Sequence, residues 1–193
     1  MIEASLMSNR NARHTLQLLS KPSALRTVRD VAVYASDMYG TASGAGAPPT
    51  AGTVLNDPYW SFADGAIQGI CAIVKVPNDR VKGTDISFYL EFGVPAPIGG
   101  TIMWQLDWLV RGLNNLYNVV PTTRFLPTVT TGAYRVNTTA KLIIPAFDVD
   151  YQHALGQPLE FFLGILRQGT HPDDTETSAS HLHKLVMEYV SNY

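Results

Sequence analysis

"TDISFYLEFGVPAPIGGTIMWQLDWLVR", residues 84–111, decides the fold. Ile86, Phe88, Leu90 and Phe92 alternate with Asp85, Ser87 and Glu91. After a turn rich in Pro and Gly, Ile102, Trp104, Leu106, Trp108 and Val110 alternate with Gln105, Asp107 and Arg111. Side chains on a strand point to opposite faces in turn, so a two-residue period means a sheet with one dry and one wet face. Burying the four apolar side chains of the first stretch is worth roughly 6–12 kcal/mol before chain entropy is charged against it. A slip of one residue would turn that set into water, which fixes the register.

Working outward, the same period recurs less cleanly. "YWSF" (59–62), "AIQGICAIVKVP" (66–77), "TTRFLPTVTT" (122–131), "YRVNTTAKLIIPAF" (134–147), "PLEFFLGILRQG" (158–169) and "HLHKLVMEYV" (181–190) bring the count to about eight strands. Turn chemistry separates them at Pro77-Asn78-Asp79, Asn114-Asn115 and Gly156-Gln157-Pro158. Many short strands without a second substantial helix predict an all-β fold. An eight-stranded antiparallel β-sandwich of jelly-roll type fits best, with a core of Ile86, Phe88, Leu90, Phe92, Ile102, Trp104, Leu106, Trp108, Val110, Leu185, Met187 and Tyr189.

"GTASGAGAPPTAGT", residues 40–53, is almost wholly small residues and two prolines, a linker composition. It predicts an N-terminal arm over 1–39, a linker over 40–53 and the sandwich over 54–193. In the arm, "PSALRTVRDVAVYASDMY" fits a short helix by its apolar spacing, and "TVRDVAVYA" fits a strand by its β-branched residues. Leu16, Leu18, Leu19, Leu25, Val28 and Val31 are the expected anchor residues. A piece this small cannot fold alone, so they must dock on the body, a sister subunit or a larger assembly.

The 193 residues suffice for one domain with extensions, and the net charge of −2 excludes a global basic field for nucleic acid or anionic membrane. Charged residues are only 16%, below the usual quarter, so neutral polar groups or partners must cover much of the surface. Cys71, the single cysteine, rules out an internal disulfide framework. The opening residues lack an apolar signal core, and no stretch approaches the ~20 apolar residues of a membrane span. Synthesis in a cytoplasm is the expectation.

Chemistry is scarce. His181 and His183, one residue apart on a strand, are the sharpest metal candidates, with Asp173 in the preceding loop as a spare ligand. The glycine that a cupin-type site needs six positions earlier is replaced by Thr175, and only five residues follow Glu188. Structural histidines, and no bound metal, are the expectation. Asp148, Asp150 and His153 form a weaker cation candidate without fixed spacing. No nucleophile elbow, phosphate loop or His-Glu-x-x-His occurs, so neither a catalytic residue nor a cofactor is assigned. Tyr59, Trp60, Tyr117 and Tyr134 lie at strand ends or loops, where aromatic rings can stack on sugars.

From residue 58 onward the order of features resembles small β-sandwich proteins from the virions of tailed bacteriophages. The likeness rests on "DPYWSFADGAIQGICAIVKVPNDRVKGTDISFYLEF", "GTIMWQLDWLVRG", "TTAKLIIPAFDV", and "PLEFFLGILRQG" followed by "DDT" and "HLHKLVMEYV". Its most specific part is Arg167, then Asp174-Thr175, then a closing strand ending in Tyr189. The resemblance implies a non-enzymatic virion structural protein, assembled in the host cytoplasm and commonly a homotrimer. A capsid decoration or cement role follows, with the major capsid protein as partner. The alternative is a fibre, spike or tail module that binds host surface glycans. A cupin-like metalloenzyme is the remote third reading.

Overall fold

The computed structural model describes residues 26–112, 121–133, 135–153 and 159–192. In chain order the strands are β1 (Arg26–Tyr34), β2 (Thr50–Val54), β3 (Asp57–Phe62), β4 (Ile67–Lys75), β5 (Ile86–Gly93), β6 (Thr101–Gly112), β7 (Thr122–Val129), β8 (Val136–Thr138), β9 (Leu142–Ile144), β10 (Leu159–Gln168) and β11 (Ser180–Asn192). A 3-10 turn (Ala35–Asp37) follows β1, and a helix α1 (Ala146–His153) follows β9.

The two alternating stretches become β5 and β6, one in each layer of an antiparallel β-sandwich. The larger sheet runs β2-β3-β11-β5-β8, with β1 also on β11 and β9 also on β5; the smaller runs β4-β10-β6-β7. Eleven strands stand where eight are expected: the arm supplies β1, the stretch 40–53 supplies most of β2, and 134–147 divides into β8 and β9. β11 pairs with β3 over Ser180–Leu182 and with β1 over Lys184–Asn192. β5 does the same with β8 and β9. The inward residues of β5, Ile86, Phe88, Leu90 and Phe92, are fully buried. They meet Ile102, Trp104, Leu106 and Val110 of β6 and Leu185, Met187 and Tyr189 of β11 in one core, with Trp108 partly buried against it. Trp104 packs edge-on to Phe62 and Phe92 at 5.1 and 5.3 Å, and Phe88 to Phe161 at 5.0 Å. Such edge-to-face pairs suit the ring quadrupoles.

Of the helix and strand readings of the arm, pairing with β11 selects the strand. Its nine residues each face a β11 residue. Alternation then turns Val33 inward and Val31 against the core, while Val28 stays 60% exposed. Leu16, Leu18, Leu19 and Leu25 lie outside the described residues. Downstream, Ala35 and Met38 are buried, and Trp60 donates its indole N–H to the Ala35 carbonyl at 2.7 Å. The small-residue stretch 40–53 lies against the sandwich. Ala42 and Gly46 donate to the carbonyls of Gly69 and Ile67, and β2 occupies its C-terminal end. Small side chains suit this close approach: a Cβ on Gly69 would come within 2.8 Å of Ala42 Cβ. β2 and β3 join through Leu55 and Asn56, both at positive φ, a two-residue turn whose twist matches that of the strands.

One end of the sandwich is closed by a buried charge network. β10 alternates Leu159, Phe161, Leu163 and Ile165 inward, and the next inward position is Arg167, fully buried. Its guanidinium donates to both carboxylate oxygens of Asp174 at 3.1 and 2.9 Å, to the carbonyls of Ser178 (2.7 Å) and Phe62 (3.3 Å), and to that of Glu176. Glu176, also fully buried, accepts from the amides of Ile98, Gly100 and Ser178 and from the Thr130 hydroxyl.

Burial alone would raise the Glu176 pKa, but these donors together hold it below the ordinary glutamate value. A carboxyl depressed in the folded state stabilises above its unfolded pKa and loses that contribution as pH falls through the folded one. Urea midpoints should therefore drop below roughly pH 4.3, the unfolded glutamate value. Glu176→Gln should be less stable at neutral pH and lose less on acidification. An acid dependence as steep in Glu176→Gln as in the parent would assign the effect to other carboxyls.

Candidate functional site

The outward residues of the smaller sheet form the surface richest in chemistry. Alternation and register place Gln168 and Gly164 of β10, Gln105, Asp107 and Leu109 of β6, and Thr123 and Phe125 of β7 on that face. Three strands contribute to one oriented hydrogen-bond chain. Gln168 Nε2 donates to Gln105 Oε1 at 2.6 Å, and Gln105 Nε2 donates to Asp107 Oδ1 at 2.8 Å. From the other side the Thr123 hydroxyl donates to the same Oδ1 at 2.7 Å. A carboxylate only accepts, so the amide of Gln105 must turn its NH2 to Asp107 and its carbonyl to Gln168. The second oxygen of Asp107, Oδ2, accepts nothing from the described side chains.

Aromatic rings bracket this chain. Phe125, 48% exposed, lies across from Gln105 in the register and 5.8 Å from the His171 ring. At the other end Tyr39, 49% exposed, is held beside the sheet by two backbone bonds to Cys71. From Gln105 to Leu109 the strand advances four residues, roughly 13 Å. Beyond Asp107 the surface sinks into a hollow of about 220 Å³, mostly apolar, lined by Tyr39, Cys71, Asp107, Leu109, Phe162 and Gly164, with Ser43 on its wall. Burial raises the Cys71 thiol above its ordinary pKa, which keeps it neutral and poorly nucleophilic. The arrangement offers hydrogen-bonding groups of both kinds, two ring faces and one recess, mounted on β6, β7 and β10 with Tyr39 and Ser43 beside them.

The metal candidates are placed apart. Alternation read back from Tyr189, Met187 and Leu185 would turn His181 and His183 inward with them. A bulge between Leu182 and Lys184 shifts the register by one residue instead. Leu182 is thereby buried, and both histidines stand on the outer face of the larger sheet. The His181 ring stacks on Tyr59 at 4.0 Å, and His183 Nδ1 lies 2.8 Å from Asp57 Oδ2. Burial, then the neighbouring His183, holds His181 below its ordinary pKa. Asp173 lies in the loop beside His171, its amide donating to His171 Nδ1 at 3.2 Å. Among the described residues no three His, Cys, Asp or Glu side chains converge as metal ligands would. In the weaker cation candidate, Asp150 is engaged by Arg80 and by the Gly83 amide, each at 2.7 Å.

Of the four aromatic residues named as sugar platforms, Tyr59 is taken up by His181, and Trp60 packs against the core. Tyr117 and Tyr134 lie outside the described residues. The ring pair at the hydrogen-bond chain, Tyr39 and Phe125, and its members Gln168 and Thr123 were not legible as a site. Gln105 and Asp107 were visible as the wet face of β6, and the pairing of an amide with a carboxylate two residues apart was the available signal.

No family model matches the chain, and no curated protein matches it. Solved structures give distant likenesses. A xylan-binding module, CBM15, is 12% identical over 88% of this chain and 100% of its own, with a TM-score of 0.48. A carbohydrate-binding module for specific mannan recognition, TmCBM27, is 12% identical over 86% of this chain and 99% of its own, at 0.41. The CBM2 module of the evolved Dit of Lactobacillus casei phage J-1 is 7% identical over 87% of this chain and 98% of its own, at 0.40. At these distances none of them assigns a ligand to this chain.

Proposed function

We propose that this chain is a non-catalytic glycan-binding β-sandwich of a virion, and that the outer face of the smaller sheet is its binding surface. The observation that carries the reading is the oriented chain Gln168–Gln105–Asp107–Thr123 set between the half-exposed rings of Tyr39 and Phe125. A pyranose presents hydroxyls that both donate and accept around its rim, and C–H groups on its faces. Amides and a carboxylate satisfy the rim, and ring faces take the C–H surface. Side chains already bonded to one another need little further ordering on binding, which favours affinity. The resemblance to virion sandwich proteins makes host surface polysaccharide the target class within this reading.

A glycan array probed with the purified chain tests it. Asp107→Ala and Gln105→Ala should each weaken binding about tenfold or more, while the thermal midpoint stays within a few degrees of the parent. An array without signal for the parent, or full binding by both variants, would overturn the reading.

A second reading, capsid decoration by a homotrimer docked on the major capsid protein, draws on β1. This strand, part of the arm, pairs with β11 alone among the described residues and leaves Val28 60% exposed. Its outer edge pairs with no described strand, and Val28 offers a partner an apolar contact.

A further inference from the structure

We infer that the hollow beside Asp107 receives the acetamido group of an N-acetylated amino sugar, an inference that rests on the glycan-binding reading and narrows it. The hollow adjoins the polar chain, so a sugar lying along Gln105 and Asp107 would direct one ring substituent into it. That substituent must satisfy two conditions. Its end must be apolar, because Leu109, Phe162, Cys71 and the bare backbone of Gly164 form most of the lining. Its stem must donate a hydrogen bond, because Asp107 Oδ1 is taken by Gln105 and Thr123 while Oδ2 accepts from no described side chain.

An acetamido group meets both conditions: its N–H donates to the carboxylate and its methyl enters the apolar recess. The hydroxyl of Ser43 on the wall is the available donor for its carbonyl. A plain hydroxyl at the same ring position would leave the recess unfilled. A phosphate or sulfate would meet the Asp107 carboxylate with like charge. A metal ion would find no second carboxylate among the described residues of the lining.

The test uses matched sugars differing only at this group: chitohexaose against cellohexaose, and N-acetylgalactosamine against galactose, titrated calorimetrically into the full chain. The acetylated member of at least one pair should bind about tenfold tighter or more, and its methyl protons should show the strongest saturation transfer from the protein. Gly164→Ala puts a methyl group into the recess at ordinary packing distance, since its Cβ would sit 3.4 Å from Ala42 Cβ and 3.5 Å from Asp107 Cβ. In that variant the preference should fall to about threefold or less, the acetylated member losing more affinity than its unacetylated partner. Equal binding within both pairs, or a preference that survives Gly164→Ala, would overturn the inference and leave the glycan reading standing if other glycans bind. Absence of binding to every sugar here and on the array would overturn both.

Discussion

Arg167→Ala is expected to lower the free energy of unfolding by about 3–5 kcal/mol, enough to leave the chain largely unfolded at moderate temperature. The reason is the geometry of what remains. Arg167, itself fully buried, serves the carboxylates of Asp174 and Asp64 and three backbone carbonyls. Removing it strands Asp174, whose side chain is fully buried, and leaves those carbonyls without their donor. Lysine keeps the charge but not the fork, so Arg167→Lys should recover only part of the loss. Urea unfolding followed by tryptophan fluorescence reads the effect directly. An alanine variant within about 1 kcal/mol of the parent would mean that the network behaves like a surface ion pair, and the account of this end of the sandwich would be wrong.

The same network reaches the binding face. Asp174 Oδ2 also accepts the amide of Met103, and the Thr175 hydroxyl accepts that of Thr101 at 2.9 Å. Both donors lie at the start of β6, two and four residues before Gln105. Gln168 is the residue after Arg167 on β10. A folded fraction of Arg167→Lys should thus show weakened glycan binding as well as weakened stability, because the first two members of the polar chain are held from this end. The Arg167, Asp174 and Thr175 order that marks the resemblance to virion proteins is in this chain a clamp between two loops and two strands.

Where periodicity was strict, it was sufficient. The faces of β5 and β6 follow from residues 84–111 alone, and the inward position of Arg167 follows from counting by twos from Leu159. Counting by twos fails at His183, because one extra residue in a strand leaves no trace in composition yet reverses every side chain beyond it. The stretch 40–53 poses a different difficulty. Small residues suit a flexible tether and a backbone lying against a sheet equally well, and only the position of Gly69 beneath Ala42 distinguishes the two. Residues 26–34 carry apolar side chains at both helical and strand spacing, so their pairing with β11 had to decide. The proposed binding face was hidden for a related reason. Gln168, Gln105 and Thr123 are far apart in sequence and become one chain only when the registers of β10, β6 and β7 are known.

The arm permits a sharper division of labour. Removing residues 1–39 is expected to abolish folding, whereas removing 1–25, which keeps β1 and every described core residue, should leave a folded chain that binds glycans. Every core contact described above lies within residues 26–192. The longer deletion strips β1 from β11 along nine paired residues and takes Val33, Ala35 and Met38 out of the core. It also leaves the Trp60 indole without the Ala35 carbonyl. Two large apolar side chains alone are worth roughly 3–6 kcal/mol, and their loss uncovers Leu185 and Met187 of β11 as well. That approaches the whole stability of an ordinary domain. Circular dichroism and urea unfolding of the two truncations decide the packing claim, and a stably folded 40–193 fragment would refute it. The shorter truncation then isolates the virion role. If the arm anchors the chain to a particle, the 26–193 chain should bind glycans as the parent does yet fail to enter assembled virions. Incorporation at the parental level would assign attachment to the sandwich itself, with the exposed Val28 of β1 as the next position to change.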